Sequence, residues 1–219
     1  MQCVPALGRG ALNLSKDNLM TKPPTRIQKR NRSAILTAGL EMFSQFGFRG
    51  TTLDQIADAA GLSKPNMLYY FPSKDSIYTA LLEQLLQTWL NPLVEMDPDG
   101  DPVDEILGYV RRKLDMSQHY PRESRLFATE ILQGAPRIAG HLSGDLRDLV
   151  DEKAILLRRW MADGKIAQVD PHHLFFSIWA LTQHYADFDV QVRTVLNKDD
   201  TFPGAWAHLD QLFRRMLTP

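Results

Sequence analysis

The sequence predicts an all-α fold built from a three-helix head and a six-helix body, and three observations carry that prediction. Apolar residues recur at three- and four-residue spacing along most of the 219 residues. Proline and glycine, as at Pro72 and Gly134-Ala135-Pro136, punctuate the pattern at helix-length intervals. No stretch shows the strict alternation of a half-buried strand.

Residues 1–25 lack periodicity and read as a flexible N-terminal tail, within which Met20 is an alternative translation start. From Arg26 to Gly47, Ile35, Ala38, Met42, Phe43 and Phe46 form an apolar stripe, and Phe43, Phe46 and Phe48 are expected in the core. Two readings suit Lys22, Arg26, Lys29, Arg30 and Arg32: a basic arm reaching a minor groove, or a solvated helix start. Gly47 and Gly50 flank a turn leading to Thr52, a helix cap whose hydroxyl or amide is also placed to meet a phosphate. Leu53, Ile56, Ala57 and Ala60 then mark a short helix closed by Gly61. Ser63 caps a second short helix, Lys64 to Tyr70, with Pro65 in its first turn and Phe71-Pro72 as its stop. Two short helices about a glycine turn make a helix-turn-helix, whose second member can enter a major groove. Lys64, Asn66, Met67, Tyr69 and Tyr70 are expected to be exposed on that member, a mixture suited to phosphates and base edges.

Ser73 caps a long helix whose Ile77, Leu81, Leu85 and Trp89 recur at four-residue spacing to about Leu93. It connects head and body, and Lys74 at its start is placed to meet a phosphate. Met96–Glu105 reads as an exposed acidic loop. Helices are expected near Asp104–His119, Pro121–Gln133, Gly140–Asp163, Pro171–Asp187 and Pro203–Leu217. The resulting domains are 1–25 tail, 26–73 helix-turn-helix head, and a 74–219 body, to which the resemblance given next assigns effector binding and dimerisation.

The run TTLDQIADAAGLSKPNMLYYFPSKDSIY, beginning at Thr51, resembles the DNA-binding signature of the TetR family of bacterial one-component regulators. The segments FSQFGF, LYYFPSK, SRLF and WALTQHYADF narrow the resemblance, over roughly residues 27–217, to the uracil- and thymine-sensing regulators of pyrimidine use within it. The resemblance implies a DNA-binding repressor acting as a homodimer on a near-palindromic operator. It also implies uracil or thymine as effector and a four-helix interface from the last two helices of each chain. Leu181, Tyr185, Phe188, Trp206, Leu209 and Phe213 are the expected interface residues. Thr52, Ser63, Lys64, Asn66, Met67, Tyr69, Tyr70 and Lys74 are the expected DNA contacts.

Charge distribution agrees with that division. Residues 1–75 carry 10 Lys and Arg against 5 Asp and Glu, whereas residues 76–219 carry 15 against 21, a basic front on an acidic body. The single cysteine, Cys3, allows no internal disulfide and fits a cytoplasmic setting. No run of 18 apolar residues suggests a membrane span, and no signal-peptide pattern opens the chain.

Candidate effector contacts are Trp89, Tyr109, Lys113, Phe127, Trp179 and Gln183. Gln183 lies one turn after Trp179, on a face expected to include Phe176 and Ala186 and to point inward. An amide offers one acceptor and two donors, so it can pair with the adjacent N–H and C=O of uracil while the indole covers a ring face. The sequence equally allows Gln183 to be satisfied by backbone or water. His172, His173, His184 and Asp187 supply too few convergent ligands for a metal, and no cofactor is expected. No nucleophile elbow, phosphate loop or paired catalytic carboxylates suggest an enzyme. Two alternatives stay open: a sensor of a drug or lipid of the same family, and a helical ligand-binding or scaffold protein without DNA binding.

Overall fold

Thr25 opens the first helix with a reciprocal cap, its hydroxyl accepting from the Gln28 amide while the Gln28 side chain accepts from its own N–H. The computed structural model describes residues 25–219. The Met20 start, Lys22 and all but the last residue of the expected tail lie outside the described residues.

Helix α1, Arg26–Gly50, is interrupted at Gly47, whose φ of 67° turns the chain and brings Phe48 back against Phe43 and Tyr78. The buried Thr51 hydroxyl donates to the Met42 and Gly47 carbonyls and fixes this bend. Helix α2, Leu53–Ala59, starts from a capping box between Thr52 and Gln55. Gly61, at φ 65°, makes the turn to Ser63, which caps α3, Lys64–Tyr70. Ser73 and Ser76 cap each other at the start of α4, Lys74–Val94.

Ile35, Phe43, Ile56, Met67, Phe71, Ile77 and Tyr78 form the core of the head. Gly39 lets α1 approach α4 closely, for a Cβ there would sit 2.9 Å from the Ile77 side chain. Three residues from farther along the chain, Leu126, Ala135 and Ile138, belong to the same cluster.

The body follows as α5, Pro102–His119; α6, Pro121–Leu132; α7, Ala139–His141; α8, Arg147–Ala162; α9, Pro171–Asp187; α10, Asp189–Leu196; and α11, Phe202–Leu217. Its core joins Leu86, Leu90 and Leu93 of α4 to Tyr109 and Leu114, Trp160, Phe175 and Ile178, and Leu209 and Phe213. All the described regular structure is helical, and none of these helices is long and apolar enough to cross a membrane.

Several expectations need correction. Phe46 is 50% exposed because the bend at Gly47 ends the apolar stripe with Phe43. Met96, expected in an exposed loop, is buried, and α5 begins at Pro102, where Asp101 caps it. The single helix expected over Gly140–Asp163 contains a π-helical turn, Leu142–Leu146. A separate α10 follows α9, ended by Asn197 in the left-handed region.

Met67, expected to face DNA, is 0% exposed. Its neighbours on the outer side of a two-turn helix are exposed because Met67 itself supplies the inner anchor. Met67→Ala is therefore expected to cost about 2–5 kcal/mol of stability, and Met67→Leu under about 1.5 kcal/mol. Urea unfolding measures both.

Candidate functional site

The outer side of α3 presents Ser63, Lys64, Asn66 and Tyr69 to solvent, with Tyr69 73% exposed. The Ser63 hydroxyl accepts from the Asn66 amide, so the N-terminus of the helix is already capped. Lys64 pairs with Asp54 of α2 at 3.0 Å across an exposed edge. Tyr70 is half-buried, its hydroxyl accepting from Asn31 of α1 at 3.1 Å, and its ring meets Tyr69 edge to face. Tyr70 thus braces Tyr69 and ties α3 to α1. Thr52 is exposed, its hydroxyl engaged in the Gln55 cap.

Lys74, at the start of α4 as expected, makes a further contact that the sequence did not announce. Its ammonium donates to the Thr51 carbonyl at 2.7 Å and lies 4.6 Å from the Phe48 ring centre. The carbonyls at the bend leave an acceptor that the nearby cation satisfies, so Lys74 holds the head together from within. Arg26, Lys29, Arg30 and Arg32 are exposed along the start of α1, on the same basic head. Arg32 also stacks over Phe71, 4.4 Å from its centroid.

In the body, Trp89, Tyr109, Lys113, Phe127, Trp179 and Gln183 line one cavity of about 690 Å³. Helices α4, α5, α6 and α9 each contribute, and Leu142 and Leu146 of the π-helical turn close another part of the wall. The Trp179 indole N–H donates to the Tyr109 hydroxyl at 2.7 Å, while Phe127 meets Trp89 edge to face at 4.7 Å. Burial pushes the Tyr109 phenol up, so it remains neutral. Lys113 is buried, with its ammonium 5.6 Å from the Trp89 ring centre and burial holding its pKa down to about 8. Among the described residues neither Lys113 Nζ nor the Gln183 side-chain amide makes a hydrogen bond, whereas Trp179, Ser124 and Arg125 of the same wall do.

Ser124, Arg125 and Asp187 also line the cavity and were missed in the sequence. The Ser124 hydroxyl donates to Asp187 at 2.7 Å, and Arg125 donates to the Ala186 carbonyl at 3.0 Å. Burial raises the Asp187 carboxyl, against the lowering effect of the Ser124 bond and the Arg125 charge. Residues more than sixty positions apart gave no local signal of this pairing. His172 pairs with Asp151, and His184 stacks on Phe188, so these histidines diverge.

The expected dimer face also changes. Leu209 and Phe213 are fully buried in their own chain's core, because α11 packs that stripe against α5. Leu181, Tyr185 and Trp206 are half-buried against the same core. The side of α9 facing away is Phe176, Ala180, His184 and Phe188, at four-residue intervals. Phe176 therefore points outward, 49% exposed, and the inward stripe runs through Phe175, Ile178, Thr182 and Ala186.

Comparison with known proteins agrees with these features. The pattern "Bacterial regulatory proteins, tetR family" matches residues 35–81, and "YcdC-like protein, C-terminal region" matches residues 82–219. The chain is 50% identical over 181 residues to the HTH-type transcriptional regulator RutR of Escherichia coli K12, covering 81% of this chain and 85% of that one. The fold is similar to that of transcriptional regulator SCO4942 from Streptomyces coelicolor, with TM-score 0.69 and 22% identity over 85% of this chain and 98% of that one. It is also similar to AibR in complex with isovaleryl coenzyme A and operator DNA, with TM-score 0.63 and 14% identity over 83% and 97%. With its helix-turn-helix and the YcdC-like body that follows, this chain belongs to the TetR family of bacterial transcriptional regulators.

Proposed function

We propose that this regulator is a cytoplasmic homodimer that reads a near-palindromic operator through α3, and that its effector is uracil or thymine. The observation that carries the effector reading is the pair of unpartnered groups in the cavity, the Gln183 amide and the Lys113 ammonium, set among Trp89, Phe127 and Trp179. A cyclic imide offers N–H and C=O side by side, which an amide can match bidentately, and a further carbonyl for the lysine. The aromatic walls exclude water from the ring faces. The exposed α9 stripe of Phe176, Ala180, His184 and Phe188 is the surface on which a second copy would pack, joining two heads for two half-sites. Linkage of about 1–3 kcal/mol between effector and operator would change DNA affinity roughly 5- to 150-fold.

A second reading has one observation in its favour. The cavity of about 690 Å³ is several times larger than a single pyrimidine ring, and its wall is mainly apolar. A bulkier apolar effector would fill it without engaging Gln183. Isothermal calorimetry with uracil separates the two: saturable heat is expected from the native protein and at least a tenfold weaker response from Gln183→Leu. An absence of heat from the native protein removes the pyrimidine reading.

Lys113 gives the pH dependence. Below about pH 8 it is charged in both the folded and unfolded chain. Between about 8 and the ordinary lysine value of 10.5 the folded chain has released the proton while the unfolded chain still holds it. Stability attributable to this group therefore rises with pH across that window, by roughly 3 kcal/mol. Urea midpoints from pH 7 to 10 are expected to show this rise, and Lys113→Met to flatten it. Uracil affinity is expected to fall over the lower part of the same window, as the ammonium donor is lost.

At the head, Lys64→Ala is expected to weaken binding to all duplexes alike and to reduce the salt slope by about 1. Asn66→Ala is expected to relax preference at one base position, by about 1–3 kcal/mol. Fluorescence anisotropy at several salt concentrations, on operator and scrambled duplexes, distinguishes these outcomes.

A further inference from the structure

Helix α6 is the element in which cavity wall and head core meet. Phe127, Ala128, Ile131 and Leu132 line the cavity, while Leu126 packs in the cluster that holds the head together. Glu130, between them, is 0% exposed. A buried carboxylate needs a partner, and this one has Arg137, whose Nη1 donates to Oε2 at 3.0 Å and whose backbone N–H donates to Oε1 at 2.9 Å. The guanidinium continues past Glu130 into the head. Its Nε donates to Asp75 in the first turn of α4 at 2.8 Å, and its Cζ lies 4.0 Å from the Phe48 ring centre and 4.9 Å from that of Tyr78. One side chain thus touches the bend that ends α1, the start of α4 and the helix that walls the cavity.

The backbone joining Glu130 to Arg137 is strained. Ala135 lies at φ 54°, a conformation that costs a non-glycine residue free energy, and follows Gly134 at φ 88°. The Ala135 N–H donates to the Glu130 carbonyl at 2.9 Å. Ala135 and Ile138 are themselves buried in the head cluster, so the turn cannot shift without disturbing the head.

We propose that Arg137 is the positioning residue through which cavity occupancy sets the orientation of the DNA-reading head, with buried Glu130 as its anchor on α6 and Asp75 as its grip on α4. A ligand that displaces Phe127 moves the helix carrying Glu130, and the fork of Arg137 passes that movement to Phe48, Tyr78 and Asp75. Arginine suits the task because its planar cation can hold two carboxylates in fixed directions and stack on a ring at once. This mechanism rests on the effector reading of the cavity given above, and the experiment separates the two.

Two variants test it in the full chain. Arg137→Gln removes the whole connection; Asp75→Ala cuts only the head side and leaves Glu130 paired, which guards against a variant that fails to fold. Spin labels at Asp58→Cys and Glu152→Cys, in a Cys3→Ser background with labelled chains diluted in unlabelled ones, report the head-to-body distance. The distribution is expected to broaden in both variants. Uracil affinity is expected to remain within about 2-fold of native, while the ratio of operator affinities with and without uracil falls from the 5- to 150-fold range to under about 2-fold. A purely structural role would leave that ratio intact. An unchanged distance distribution in variants that fold, or an unchanged ratio, overturns the proposal. If the native protein takes up no uracil, the pyrimidine reading fails by itself, and the distance distributions decide the role of Arg137.

Discussion

Helix α4 takes part in two hydrophobic cores at once, and most of the molecule's behaviour depends on that sharing. Its first half gives Ile77, Tyr78, Leu81 and Leu82 to the head, and its second half gives Leu86, Leu90 and Leu93 to the body. A single hydrogen-bonded helix cannot move one of these stripes far without moving the other. Close packing makes the constraint effective, since displaced side chains lose contacts on every side and cores switch between arrangements instead of deforming smoothly. The head also borrows Leu126, Ala135 and Ile138 from the body, so the connection runs along two routes. A division of the chain at residue 73 or 81 describes the sequence better than it describes the packing.

The buried ionic groups cost stability, and their placement indicates where specificity has been favoured over it. Lys113 sits in a mostly apolar wall without an acidic partner among the described residues, a position that desolvation penalises. Glu130 is more deeply buried but fully engaged by Arg137. The two follow different logic. Lys113 keeps its donors available to whatever enters the cavity, whereas Glu130 spends its acceptors on fixing a turn. The charge of Glu130 is felt nearby: together with burial it pushes the Tyr78 phenol up to about 12, against the opposing Arg137 charge.

Local signals made the starts of α2, α3 and α4 readable to the residue. Thr52, Gly61, Ser63 and Ser73 mark caps and turns whose geometry depends on residues close in sequence, and these three helices begin where they predict. What failed there depended on curvature. The bend at Gly47 turned Phe46 outward, and a two-turn helix needed Met67 for its inner side. Lys74 was drawn to the carbonyl of Thr51, 23 positions earlier, a contact that no periodicity announces. In the body, helical spacing placed Tyr109 and Lys113 on one side of α5 and Trp179 and Gln183 on one side of α9, and the six proposed effector residues do surround one cavity. The same spacing misled on Phe176, because α9 carries apolar residues on most sides, and on Leu209 and Phe213, which form the inner stripe of α11. Periodicity cannot say which stripe of such a helix meets its own core, and α5 claimed Leu209 and Phe213.

The cavity lies where a small ligand has the most leverage. Trp89 is near the C-terminal end of α4, and Phe127, which meets it edge to face, packs against both the head and the body clusters. A molecule seated against this pair touches the seam between cores directly. In the mechanism proposed above, a change in how the two rings meet would be carried by α6, the helix that holds both Leu126 and Glu130. Such a change is cheap inside the cavity, where ring faces border open space, and costly on the far side, where Leu126 and Glu130 are fully packed. The asymmetry favours transmission of the movement toward the head over its absorption at the cavity wall.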